Sequence, residues 1–124
     1  MRGQHVAMRH VVTTRRLERV KPLTEPVFWI LLSLAEQPRH GYALMKDVES
    51  VSAGRVRLST GTLYGALRRL LEDLWIERVE LADTSREKQP YRLTNVGRAR
   101  LKHELNRLTQ LTHAAATRLT PRGV

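Results

Sequence analysis

Residues 58–71 (LSTGTLYGALRRLL) carry the pattern that most restricts how this chain can fold. Apolar residues recur there at spacings of three and four, as on one buried face of an α-helix; they are Leu63, Ala66, Leu67, Leu70 and Leu71. The opposite, polar face carries Thr60, Tyr64, Gly65, Arg68 and, at its edge, Arg69. Such a helix suits the major groove of DNA. It is equally typical of an ordinary amphipathic helix whose basic face is solvated.

The composition limits the chain to one domain with a small core, since it has 124 residues of which 41% are hydrophobic. A domain of this size often buries apolar surface against a partner chain. The absence of cysteine excludes disulfide scaffolds, thiolate zinc sites and cysteine nucleophiles. No apolar run approaches the length of a membrane span, and the basic N-terminus lacks the apolar segment of a signal peptide. We therefore expect a cytoplasmic protein with no membrane partner.

The net charge of +10 is concentrated at the two ends of the chain. Residues 1–22 carry +5 and residues 98–124 carry another +5, whereas residues 23–97 are neutral overall. Basic ends raise the local concentration of a protein on any polyanion and give salt-dependent, sequence-blind binding. Charge alone does not distinguish DNA from RNA or from an anionic membrane surface.

The first clear helix is expected to begin after Thr24, which is suited to cap it, and to end at Gln37-Pro38. Apolar residues occupy most of its circumference, and they include Phe28 and Trp29. A helix of this kind lies in the centre of a domain or between two chains.

A second helix is expected to open at residues 40–42 (HGY) and to end near Val51. The third is the helix of residues 58–71, for which Ser59 or Thr60 is a suitable cap. Three helices joined by short turns, the last with a basic face, are typical of a helix-turn-helix.

The hydrophobic period changes from 3.6 to 2 after the third helix. Residues 75–81 alternate roughly and predict a strand, and residues 91–94 predict a second short strand. Pro90 lacks an amide donor, so it belongs at an edge or at the first residue of a strand. The charged loop between the strands, which includes Arg86 and Lys88, completes the pattern of a wing.

The last helix is expected to follow Thr94 or Asn95 and to carry a heptad seam. The seam consists of Leu101, Leu105, Leu108, Thr112, Ala115 and Leu119, with Leu111 beside it. The helix either packs back on its own domain or pairs with a second copy. A seam of about 19 residues is roughly 28 Å long, more than so small a domain covers alone, so we favour dimerisation.

The chain thus divides into a basic arm (1–22), a winged helix-turn-helix domain (23–94) and a dimerisation helix with its tail (95–124). The arm has weak periodicity. Its cations suit phosphate or minor-groove contacts, but a solubilising role explains them equally well; they are Arg2, Arg9, Arg15, Arg16, Arg19 and Lys21.

The chain resembles the PadR family of bacterial transcription regulators. The matching segments are 23–25 (LTE), 40–42 (HGY), 59–64 (STGTLY) and 91–94 (YRLT), the last followed by Gly97. The resemblance implies a mainly α (α+β) winged helix-turn-helix that dimerises through its C-terminal helix and usually its first helix. It implies a repressor of an operator in its own promoter region. Some relatives release DNA on binding phenolic or planar aromatic compounds.

The resemblance also implies roles for individual residues. Phosphates would lie near Gly41 and Tyr42, and the wing residues Arg86 and Lys88 would contact a minor groove or phosphates. The recognition surface would consist of Ser59, Thr60, Thr62, Tyr64, Arg68 and Arg69. Arg68 suits either a bidentate contact with guanine or a phosphate contact. The dimer interface would combine Phe28 and Trp29 with the seam of the last helix.

Three features depart from the family pattern. Gly65 stands where proline is usual. Leu74 stands where glycine is usual, at the end of the third helix, where a left-handed residue is expected at a cost of roughly 1 kcal/mol. The C-terminal helix contains no aromatic residue, so the aromatic sandwich that holds flat compounds in some relatives is not expected. Trp29 and Trp75 suit the core better than an effector site.

The sequence argues against catalysis and against a metal site. The five histidines show no close ligand spacing, and no set of nucleophile, base and orienting residue emerges, so we expect no enzyme and no cofactor. Two other functions remain open. A winged helix can be a protein-interaction module, which the neutral charge of residues 23–97 supports, or a small-molecule sensor.

Overall fold

The computed structural model describes residues 20–82 and 88–121, which form four α-helices and one small sheet. The elements in chain order are α1 (Glu25–Glu36), α2 (Gly41–Val51), α3 (Thr60–Glu72), β1 (Ile76–Arg78), β2 (Tyr91–Leu93) and α4 (Asn95–Leu119). This order confirms the predicted mainly α winged helix-turn-helix with a long C-terminal helix. Within the described residues, even the 25-residue α4 is not apolar enough to cross a bilayer.

Side-chain hydroxyls set the starts of three helices. Thr24 Oγ1 accepts a hydrogen bond from the amide of Val27 at 3.4 Å, as predicted for the start of α1. Of the two caps proposed for α3, Ser59 is the one observed. Thr94 caps α4, because its Oγ1 accepts from the amide of Gly97 at 3.0 Å. These caps satisfy amides that have no partner inside their own helix.

One hydrophobic cluster joins all of these elements. α1, α2 and α3 contribute most of it, and Leu101 brings the first turns of α4 into the same core. The largest fully buried side chains are Ile30, Leu31, Leu44, Val48, Leu63, Leu67 and Ile76. Because these residues hold the back of α3, the opposite side of that helix is left to solvent.

The wing is shorter than the sequence predicts. β1 and β2 pair antiparallel, with Ile76 opposite Leu93 and Arg78 opposite Tyr91. The predicted strand to residue 81 is wrong beyond Arg78. The amide of Val79 still donates to the Pro90 carbonyl at 2.8 Å, but Pro90 has no amide to return, so the ladder stops there.

A bridge that the sequence analysis missed ties the α1–α2 turn to the wing. Arg39 and Tyr91 exchange backbone hydrogen bonds of 3.1 and 2.8 Å. The Arg39 guanidinium also lies 3.1 Å from Glu36 and 3.5 Å from Asp47, and the Ser33 hydroxyl donates to Asp47. The start of α2 is therefore fixed to both α1 and β2.

The junction between α3 and α4 is tightly packed around one carbonyl group. Leu74 has a φ of 63°, which confirms the left-handed residue expected at the end of α3. The next carbonyl, that of Trp75, accepts from the amide of Thr94 at 3.0 Å, and the Thr94 hydroxyl donates to the Leu74 carbonyl at 2.6 Å. Gly97 lies directly against the Trp75 carbonyl, where a side chain would overlap it.

Glu104 on α4 is a buried carboxylate that connects α4 to the start of α1. It accepts a hydrogen bond from the amide of Leu23 at 2.9 Å and pairs with Arg107 at 2.8 Å. The hydrogen bond from Arg107 lowers the pKa of Glu104 below its ordinary value of 4.5; burial opposes this shift, and the Leu23 amide adds to it.

Glu104→Gln is expected to destabilise the fold at pH 7 and to reduce its sensitivity to acid. A carboxyl whose pKa is lowered by folding stabilises the protein above the unfolded value, near 4.5, and that contribution disappears as pH falls through the lower folded value. The difference in urea midpoint between the two proteins should therefore be large at pH 7 and small at pH 3. An equal difference at both pH values would contradict this role for the charge.

Candidate nucleic-acid interface

The solvent-facing side of α3 carries every residue predicted for the recognition surface. Leu63, Leu67 and Leu70 are buried in the core. The exposed residues are Ser59, Thr60, Thr62, Tyr64, Arg68 and Arg69. The buried leucines and the exposed polar residues alternate with the helical period, so one rigid element presents the whole polar set to solvent.

The tip of α3 is ordered by its own hydroxyl groups. Ser59 Oγ accepts from the amide of Thr62 at 3.2 Å and lies 2.9 Å from the Thr62 hydroxyl oxygen. Ser59 therefore has a structural role as a cap, whatever else it contacts. The exposed Thr60 follows it at the first turn, where the helix dipole favours an anionic group.

Two glycines leave the front of α3 flat. A Cβ built at Gly61 or at Gly65 would have no heavy atom within 4 Å beyond its own helix. By helical spacing, Tyr64 and Arg68 border this strip on one side and Arg69 lies on the other. The backbone of α3 is therefore accessible between two rows of polar and basic side chains.

Tyr64 connects α3 to the first turn of α2. A Cβ at Gly41 would lie 2.5 Å from the Tyr64 hydroxyl and 3.0 Å from the adjacent ring carbon. Gly41 is buried, and this contact alone requires a residue without a side chain there. The structure thus assigns Gly41 a packing role, in addition to the phosphate proximity expected from the sequence.

Tyr42 and Lys46 form an exposed pair on α2. The Tyr42 side chain is 70% exposed, and the ammonium of Lys46 lies 5.5 Å from the centroid of its ring. Sequence reasoning missed Lys46, although its spacing of four residues from Tyr42 places both on one helical face.

The cations near α3 differ in their partners. Arg55 pairs with Glu25 at 2.9 Å, and Arg57, two residues before the cap, lies 3.4 Å from Glu49. No described acidic side chain lies within 4.0 Å of Arg68 or Arg69. The side chains of Arg68 and Arg69 are therefore available to an external anion. Exposed pairs such as that of Arg57 contribute little and are easily exchanged.

The wing residues are described only in part. Lys88 is exposed at the end of the loop that precedes β2. Arg86, predicted to contact DNA, lies outside the described residues.

The residues predicted for the dimer interface fall into three groups. Leu101 is buried in the core of its own chain, so only a small part of its side chain remains for a partner. Leu108, Phe28 and Trp29 are half-buried around a cleft of about 240 Å³ between α1 and α4. The exposed group consists of Leu105, Leu111, Thr112, Ala115 and Leu119.

The second half of α4 is less polar than its composition indicates. Every residue from 109 to 120 is exposed, yet its threonine hydroxyls donate to backbone carbonyls four residues earlier. Thr112, for example, donates to the Leu108 carbonyl at 2.8 Å. With their hydroxyls satisfied, these threonines present methyl groups alongside the exposed leucines.

The described residues contain no group of three or more histidine, aspartate or glutamate side chains placed to hold a metal ion. The geometry that remains is a buried helical scaffold with an exposed, basic third helix and a wing. These features define a winged helix-turn-helix protein.

The comparison with known families identifies the chain more closely. The sequence model of the transcriptional regulator PadR-like family matches residues 30–103, more than half of the chain. This chain therefore belongs to the PadR-like family of transcriptional regulators. Membership confirms the resemblance seen in the sequence and the prediction that the chain is not an enzyme.

One curated relative is an uncharacterized 37.1 kDa protein in transposon TN4556 of Streptomyces fradiae. It is 37% identical over 83 residues, which are 67% of this chain and 23% of that protein. The match thus spans about a quarter of the relative's length.

Solved structures of low sequence identity share the fold. A transcriptional regulator from Clostridium thermocellum is 23% identical with a TM-score of 0.62, over 77% of this chain and 92% of that one. A PadR family regulator from Clostridium difficile is 22% identical with a TM-score of 0.60, over 76% and 97%. A PadR-like regulator from Bacillus cereus is 18% identical with a TM-score of 0.61, over 77% and 92%.

Proposed function

We propose that this chain is a sequence-specific DNA-binding transcriptional regulator that acts as a homodimer. The observation that carries the proposal is the exposed side of α3, where Arg68 and Arg69 border an open strip without described acidic partners. A helix of this form enters the major groove with its first turns at the base edges. The basic ends of the chain add the salt-dependent attraction that brings such a protein to DNA.

The contacts divide into two kinds. Arg68 lies on the same face as Tyr64, one turn further along α3, and is the residue that we propose for base recognition. Lys46 and Lys88 are exposed cations outside α3, and we propose that they contact phosphates. Tyr42, beside Lys46 at the start of α2, would approach the same phosphate backbone.

Dimerisation is supported by the surface that α4 leaves open. The helix extends about 37 Å, and its second half packs against none of the other described elements. Leu105 and Leu111 are more than half exposed, and the cleft beside Phe28 and Trp29 adjoins Leu108. A second copy of α4 would cover both features, which are too apolar to be left in water over this length.

A symmetric dimer implies a symmetric operator. Two copies of α3 related by a two-fold axis read two half-sites about one duplex turn, or a multiple of it, apart. Because a dimer bound inside a promoter excludes the polymerase, we propose that the protein acts as a repressor.

Arg68→Ala is expected to reduce discrimination between the operator and random duplex by about 1–3 kcal/mol, that is, at least several-fold in affinity ratio. Lys88→Ala should weaken binding to every duplex alike and lower the slope of log affinity against log salt by about one. Fluorescence anisotropy on both duplexes between 50 and 300 mM salt, roughly the range in which phosphate contacts are titrated, measures each effect.

The same experiment tests the alternative of a protein-interaction module. If the wild-type protein does not distinguish an inverted-repeat site upstream of its own gene from random duplex, the proposed function is wrong. If the two variants behave alike, the division between base and phosphate contacts is wrong, although DNA binding stands.

An aromatic effector that releases the DNA remains a prediction. α4 carries no aromatic residue to form a sandwich with its copy. The cleft beside Phe28 and Trp29, at about 240 Å³, is smaller than the 300 Å³ or more that is usual for small-molecule sites. These observations favour a DNA-binding dimer over a protein whose main task is ligand capture.

A further inference from the structure

The segment before α1 follows α4 in a regular way. The amide of Leu23 donates to Glu104, and the guanidinium of Arg100 donates to the carbonyl of Lys21. Arg100 and Glu104 are one helical turn apart. Two residues of the segment therefore advance by one turn of α4, and the chain runs toward the N-terminus of α4 as it is followed backward from Leu23.

The spacing of these two contacts allows the path to be continued. Lys21 precedes Pro22, which disfavours a helical conformation and keeps Lys21 extended. Four extended residues span about 13 Å, so Leu17 can lie up to that distance from Lys21. The six residues from Arg100 back to Thr94 rise about 9 Å. Leu17 is therefore within reach of the start of α4.

An uncovered apolar patch lies at that position. Leu74 is 68% exposed and Val96 is 56% exposed, and both line one surface groove together with Thr94. Leu74 keeps its side chain at a φ of 63°, where a residue other than glycine costs roughly 1 kcal/mol. A side chain retained at that cost, beside a second exposed apolar residue, indicates that something covers the patch.

Hydrogen-bonding groups and charge at the patch match a passing basic chain. Nε and Nη1 of Arg100 are buried, and no described residue accepts a hydrogen bond from them. Backbone carbonyls that continue the segment beyond Lys21 would satisfy these donors. Glu80, which lines the adjoining groove with Leu74, has no described cation within 4.0 Å. Residues 15–19 (RRLER) carry three arginines and one acid.

We propose that residues 14–19 of this chain continue along α4 and cover the patch formed by Leu74 and Val96, with Leu17 as the apolar contact. Leu17 is the only leucine in residues 1–19. The proposal does not depend on DNA binding. It assigns the second half of the basic arm to the protein's own surface and leaves the cations of residues 1–13 for other partners.

Engineered cysteine pairs test this path, because the chain contains no cysteine of its own. Leu17→Cys with Val96→Cys should form an intramolecular disulfide in glutathione buffer, with an effective concentration at least tenfold above that of Leu17→Cys with Arg98→Cys. Arg98 is exposed on the same helix but two residues on, and so faces about 200° away. Mass spectrometry of the unreduced protein measures both.

Two results would overturn the proposal. Equal effective concentrations for the two pairs would mean that the arm has no preferred side of α4. Disulfides found only between chains would assign the patch to the arm of a second copy.

Limited trypsin digestion provides an independent readout. Leu17→Ser should raise the cleavage rates after Arg15 and Arg19 about tenfold without changing the melting temperature, whereas Val12→Ser, outside the proposed contact, should leave the rates unchanged. Wild-type cleavage as fast as in Leu17→Ser contradicts the contact. Protection that appears only when duplex DNA is added would assign the segment to DNA instead.

Discussion

Gly97→Ala is expected to cost at least 3 kcal/mol of folding free energy and to leave the chain largely unfolded at 37 °C. A Cβ at this position would overlap the Trp75 carbonyl oxygen and lie 2.8 Å from Leu93 Cδ1. That carbonyl cannot move freely, because it accepts from the amide of Thr94. Overpacking in a core usually costs 1–3 kcal/mol, and rigid backbone on both sides of the overlap favours the upper end or more. Urea denaturation followed by circular dichroism measures the loss.

Gly65→Ala is the matched control for that variant. Gly65 is also helical, but a Cβ there meets no heavy atom within 4 Å beyond its own helix. Alanine should therefore stabilise the chain by about 0.5–1 kcal/mol, since it reduces the conformational freedom of the unfolded state. A similar loss of stability in both variants would show that the contact with Trp75 is not the cause.

Features that depend on neighbouring residues could be predicted from the sequence. The caps at Thr24 and Thr94 act within three residues of themselves, and the left-handed Leu74 follows from the end of its own helix. The periodicity of α3 likewise separates its buried leucines from the exposed Arg68 correctly. In each case the physical cause lies inside the segment that carries the pattern.

Features that depend on distant residues could not be predicted. Nothing near Gly97 in the sequence announces the Trp75 carbonyl, and nothing near Gly41 announces the ring of Tyr64. The bridge between Arg39 and β2 was missed for the same reason. Such positions become visible only when the fold has brought separate elements together.

The seam of α4 shows a third kind of limit. Its heptad spacing is continuous from Leu101 to Leu119, yet Leu101 is buried in its own chain and Leu119 is 81% exposed. A heptad pattern reports that a face is apolar and does not report which chain covers it. For this helix, the division falls where contact with α1 ends, near Leu108.

Leu105→Asp with Leu111→Asp is expected to turn the protein into a monomer and to weaken operator binding at least 100-fold. Both side chains are more than half exposed in one chain, so the double variant should fold. Carboxylates at these positions would be buried without partners in a dimer, which is strongly unfavourable. Two linked half-site contacts exceed one by about 10²–10⁴ in affinity, and a monomer loses that gain.

Asn106→Asp with Gln110→Asp is the control, because it makes the same change in charge on the opposite, exposed side of α4. Sedimentation velocity should show a monomer for the first variant and a dimer for the control. Anisotropy on the inverted-repeat duplex should show the loss of affinity only for the first. A dimer that survives Leu105→Asp with Leu111→Asp would place the interface elsewhere. A monomer with full operator affinity would instead mean that each chain reads its site alone, since avidity then contributes nothing to binding.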